Sequence, residues 1–109
     1  MIRLTVLYGH PQDPAEFDRY YREVHLPLAR KMEGLLGWTI GKCASVADGE
    51  KPAYYMIVGL YAESREAMEA ILASPQGRAT VDDVSNFATG GATFIYNDEE
   101  VLLPVSLTE

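Results

Sequence analysis

The sequence predicts a single α+β domain over residues 1–109, its elements in the order βαββαβ, with two helices on one face of an antiparallel sheet. Three observations carry this: period-two apolar alternation in the strand segments, amphipathic stretches of helical period between them, and turn residues at the junctions. A chain of 109 residues has the size of one domain and is too short for two cores. With 48% hydrophobic and 23% charged residues it has ample apolar material to bury.

The first element is a strand, because Ile2, Leu4, Val6 and Tyr8 alternate with Arg3, Thr5, Leu7 and Gly9. After it, Asp13 suits a helix N-cap, Pro14 the first helical position and Glu16 a reciprocal capping contact. Phe17, Tyr20, Tyr21, Val24, Leu28 and Met32 then recur every three or four residues, while Arg19, Arg22, Glu23 and Arg30 fall elsewhere. Pro27 lacks the amide that would bond the Glu23 carbonyl, which predicts a bend near His25, and Gly34 closes the helix. Residues 38–44 and 54–61 read as two strands of a hairpin, with Asp48 and Gly49 at a turn between them.

Ser64 can cap a second helix with Ala67, Met68, Ile71 and Leu72 on one face. The stretch 74–77 interrupts it before a shorter helical segment ending near Phe87, and Gly90 and Gly91 end that region. Phe94, Ile95 and Tyr96 form a fourth strand, and the tail 101–107, carrying Pro104, reads as an edge or arm. Right-handed crossovers put both helices on the same face of the sheet. In strand 54–61, Tyr54, Met56, Val58 and Leu60 alternate with Tyr55, Ile57 and Tyr61, so both faces are apolar. Water does not tolerate a sheet apolar on both sides, and an identical sheet in a two-fold homodimer is the simplest cover.

Nine Lys and Arg against 16 Asp and Glu leave a net charge of −7, which argues against nucleic acid and membrane surfaces as partners. Cys43 is single, and the N-terminus opens on a strand pattern instead of a secretion signal, so a cytoplasmic protein is expected. Two His and one Cys form no spaced metal-ligand set. No glycine-rich fingerprint follows a strand, so no nicotinamide, flavin or other cofactor is expected.

The run Phe17-Asp18-Arg19-Tyr20-Tyr21-Arg22-Glu23-Val24-His25-Leu26-Pro27-Leu28, after Leu4-Thr5-Val6-Leu7-Tyr8, resembles the EthD family of dimeric α+β barrel proteins. Asn86-Phe87 and Gly90-Gly91 are similar to that family's second half. One departure is Glu33 before Gly34-Leu35, where many members have proline. The resemblance implies a ferredoxin-like protomer, sheets packed face to face in a homodimer, and a pocket between helices and sheet. It also implies an oxidoreductase or reductase-type role beside an oxidative system. Related barrels include cofactor-free monooxygenases, isomerases and cyclases acting on small apolar or aromatic molecules, and fold alone does not choose among them.

His25 is the candidate acid or base, because an imidazole titrates near neutrality and lies beside the expected helix break. The competing reading is a half-buried histidine capping the carbonyl freed by Pro27. Its helical neighbours Tyr21, Arg22, Leu28 and Ala29 include no acid, so an orienting carboxylate has to come from another element. Tyr20 and Tyr21 point about 100° apart, so one can pack in the core while the other presents a hydroxyl to the pocket; Tyr21 shares the stripe of His25. Asn86 is a candidate ligand contact, against the alternative of a left-handed helix stop. His10 reads as an exposed turn residue, Trp38, Tyr54, Phe94 and Tyr96 as core or interface aromatics, and Cys43 as structural. Three readings follow: a cofactor-free enzyme or oxidoreductase-associated component using His25 on a small apolar or aromatic molecule, a binding module delivering such a ligand to an oxidase, or a purely structural dimer whose cavity is filled by side chains.

Overall fold

A computed structural model of the chain describes residues 1–105. The strands are β1 (Ile2–Tyr8), β2 (Gly37–Lys42), β3 (Met56–Ala62) and β4 (Ala92–Asp98). They form one antiparallel sheet in the order β2-β3-β1-β4, with Val6 opposite both Val58 and Phe94. The helices are α1 (Pro14–Tyr20), α2 (Leu26–Ala29), α3 (Arg65–Ala73) and α4 (Pro75–Asp83). A π-helical turn (Tyr21–His25) joins α1 to α2, and a 3₁₀ turn (Val84–Asn86) follows α4. The βαββαβ order expected from the sequence is the order found, in a ferredoxin-like arrangement.

The core lies between helices and sheet. Ile2, Leu4, Val6 and Tyr8 of β1 and Met56, Val58, Leu60 and Ala62 of β3 are buried on that side, against Phe17, Tyr21, Leu26, Met68 and Ile71. The caps form as their chemistry predicts: Asp13 Oδ1 accepts from the Glu16 amide at 3.1 Å, and Ser64 Oγ from the Ala67 amide at 3.1 Å. Glu16 does not reach back to complete a capping box; its carboxylate pairs with Arg19.

Two local features depart from a regular reading. The first helical region is not one α-helix, because the Leu26 amide bonds the Tyr21 carbonyl five residues back. That extra residue rotates the following face by about 100°. Val24, expected inward, is therefore 39% exposed, while His25, Leu26 and Ala29 are buried. The second is the corner at 74–77. Ser74 Oγ takes the Gly77 amide at 3.0 Å and α4 starts at once, with backbone so close that a Cβ on Gly77 would lie 2.1 Å from the Ile71 carbonyl oxygen. Only glycine permits this approach.

The second sheet face carries Leu7, Ile57, Tyr61 and Ile95, and also Arg3, Thr5, Thr39, Thr93 and Asn97. Phe94 and Tyr96 lie on the helix side instead, opposite Val6 and Leu4. The tail 101–105 forms no strand, and Val101, Leu102, Leu103 and Val105 are exposed. The expected arm continues into 106 and 107, outside the described residues. No helix among the described residues is long and apolar enough to cross a membrane.

Candidate acid–base site

The π turn aims His25 into the core, where its ring is only 4% exposed. Phe87 and Tyr21 flank it, with ring centroids 4.6 and 5.2 Å away. The missing carboxylate is supplied by Asp83, from the last residue of α4 and 58 positions along the chain. His25 Nδ1 donates to Asp83 Oδ2 at 2.9 Å, and Asp83 is itself 7% exposed. The Tyr20 hydroxyl donates to Asp83 Oδ1 at 2.6 Å, and the Asn86 side-chain amide donates to the same oxygen at 3.0 Å. Three donors thus hold one carboxylate, which fixes the plane and tautomer of the imidazole.

The charges follow from this arrangement. Burial pushes the Asp83 carboxyl up, but hydrogen bonds from Tyr20, Asn86 and His25 outweigh it and leave the group below the usual carboxylate range. Burial pushes the His25 imidazole below its ordinary value, and Asp83 offsets only part of that. At neutral pH the pair is therefore a carboxylate and a neutral imidazole whose Nδ1 holds the proton. The lone pair sits on Nε2, which makes no hydrogen bond among the described residues. A neutral imidazole in this state is a base.

His25 lines a small cavity between helices and sheet, together with Tyr8, Tyr21, Val58, Leu72 and Phe94. Its volume is about 40 Å³. The Trp38 indole N–H, from the same lining, is enclosed and has no hydrogen-bond partner among the described residues. Among the described residues no group of three or more His, Cys, Asp or Glu side chains is placed to hold a metal ion.

The sequence-derived candidates divide. His25 and Tyr21 line the cavity, whereas Tyr20 and Asn86 lie outside its lining and hold Asp83. Asn86 is not a left-handed stop, since among the described residues only glycines have positive φ. His25 does not cap a carbonyl near Pro27. His10, expected to be exposed, is half-buried, and its Nε2 donates to the Pro52 carbonyl at 2.6 Å. Asp83 and Tyr8 were not singled out by the sequence. Asp83 is three residues after Thr80 and four before Phe87, so an acid on an inward helical stripe was the available signal.

The chain is a ferredoxin-like α+β domain with a buried imidazole–carboxylate pair on its helical layer. The EthD domain matches residues 9–91, and the chain belongs to that family. It is 42% identical to an 11.0 kDa protein of the thcB–thcC intergenic region of Rhodococcus erythropolis, over 95% of this chain and 100% of that one. Among solved structures, an EthD family protein of Bacillus halodurans is similar with TM-score 0.84 and 26% identity, over 92% of this chain and 99% of that one. A dimeric ferredoxin-like protein of Thermobifida fusca shares the fold with TM-score 0.66 and 14% identity, over 88% of each chain.

Proposed function

We propose that the protein is a cofactor-free acid–base catalyst that binds a small, mostly apolar molecule between helices and sheet, with His25 moving a proton. The observation that carries this reading is the 2.9 Å contact of His25 Nδ1 with Asp83, which leaves Nε2 unpaired on a ring lining the cavity. Tyr20 and Asn86 add two further hydrogen bonds to the carboxylate that holds the ring, so the imidazole is fixed in one orientation. Tyr21 lines the same cavity as His25, and Tyr20 and Asn86 serve as positioning residues for Asp83.

The working form we propose is a cytoplasmic homodimer. Leu7, Ile57, Tyr61 and the 46% exposed Ile95 support it, as one sheet face of this composition is better covered by a second copy than by water. The Thermobifida relative, described as dimeric, points the same way.

The test is replacement of His25 by Ala, with turnover and ligand affinity measured separately once a substrate is in hand. Acid–base catalysis expects turnover to fall about 10²–10⁴-fold with apolar affinity largely kept. Turnover unchanged by the substitution would overturn it and favour a module that delivers its ligand to an oxidase.

A further inference from the structure

Tyr8 and Tyr21 are the unusual members of the cavity wall. Both side chains are nearly sealed, at 2% and 3% exposure, with ring centroids 6.1 Å apart. Neither hydroxyl makes a hydrogen bond among the described residues, although other tyrosines such as Tyr20 and Tyr55 do. Burial pushes both hydroxyls far above the ordinary phenol range, so both remain neutral O–H donors. Neither hydroxyl oxygen is fully enclosed, and Tyr8, Tyr21 and His25 line the same cavity, so two O–H donors and one base are carried by side chains of a single wall.

The volume limits what enters. Benzene fills an apolar cavity of about 150 Å³, whereas this one holds about 40 Å³. It has room for the reacting end of a molecule and not for an aromatic ring. Phe94, on the same wall, is 45% exposed and marks the side through which the remainder of a ligand would extend.

Resting on the acid–base reading above, we propose that the ligand is a small carbonyl compound with a hydrogen on the adjacent carbon. Its carbonyl oxygen accepts from the Tyr8 and Tyr21 hydroxyls, the hydrogen meets His25 Nε2, and an apolar tail passes Phe94. In the step itself the C–H bond breaks and its proton moves to Nε2. The electron pair forms a C=C bond as the carbonyl π pair moves to oxygen, and the resulting enolate is held by the two hydroxyls. The imidazolium, stabilised by Asp83, returns the proton to carbon or to oxygen. Nothing is oxidised or reduced and no co-reactant is consumed.

The probes are 2-hexanone and 2-methyl-1-hexene, which differ only by oxygen in place of a methylene. NMR titration of the intact protein is expected to show the ketone bound about tenfold or more tightly than the alkene. Tyr8→Phe and Tyr21→Phe should each weaken the ketone by about five- to tenfold and leave the alkene unchanged, as loss of one neutral hydrogen bond predicts. In D₂O the wild type should speed deuterium incorporation beside the carbonyl, and His25→Gln should slow it about 100-fold or more. Equal affinity for ketone and alkene, or a ketone affinity that neither Phe variant changes, would overturn the carbonyl assignment while leaving an apolar site. Ketone binding without enhanced exchange would overturn the proton-transfer step. If neither probe binds at millimolar concentration, the carbonyl assignment is overturned, while the acid–base reading is decided separately by turnover of the His25→Ala variant.

Discussion

Replacing Asp83 by Asn tests whether the carboxylate sets the tautomer of His25. In the native chain Oδ1 already accepts from both Tyr20 and Asn86, and Oδ2 accepts from His25. An amide has one acceptor oxygen, and the two donors at Oδ1 claim it. The amide nitrogen then faces Nδ1 of His25 and donates to it, which drives the ring proton to Nε2 and removes the base from the cavity. The loss in proton-transfer rate should approach the full value of a general base, about 10²–10⁴-fold. Stability changes less, because the geometry persists: exchanging charge-assisted bonds for neutral ones costs about 1–3 kcal/mol, or roughly 5–20 °C in a domain of this size. The assay is ¹⁵N NMR of the imidazole, with His10→Gln used to assign the only other histidine. A variant whose His25 keeps its proton on Nδ1, or whose exchange rate is unaltered, would refute the orienting role of Asp83.

Further expectations follow from the same geometry. Because folding lowers the His25 value, the unfolded chain takes up that proton first as pH falls below about 6.5. Stability should therefore decline with acidification through that range, the lowered Asp83 should add a second decline below about pH 4, and His25→Gln should remove the first part in denaturant titrations. The rising limb of any pH–rate profile should have its midpoint below 6.5 for the same reason. Pro27→Ala restores an amide after the π turn, so melting should be unchanged or higher while the Nδ1 resonance of His25 shifts as the ring leaves Asp83; an unshifted resonance would show that packing alone holds the turn. Light scattering should give twice the 12.1 kDa chain mass, and Ile95→Lys should give the monomer, with a wild-type monomer at micromolar concentration counting against the interface.

The sequence by itself determined the order of strands and helices, because strand alternation, helix caps and turn residues act over a few neighbouring positions. Asp13, Ser64 and the inward row of β1 behave as their local chemistry dictates. Pro27 announced an irregularity, and His25 and Tyr21 were legible as pocket residues from their shared stripe. What followed the irregularity was not legible. Whether the helix bends, breaks or adds a residue depends on how its face packs, and the π turn chosen here exposes Val24 and buries His25 and Ala29. The partner of His25 was still further from reach. Asp83 stands 58 residues away, brought in only when the close corner at Gly77 folds α4 back over the first helical layer. Spacing along a chain carries no such distance. Tyr20, Asn86 and Tyr8 took their roles from the same event, since a hydroxyl or amide becomes an anchor or an unpaired donor only once tertiary packing decides what lies within three ångströms of it.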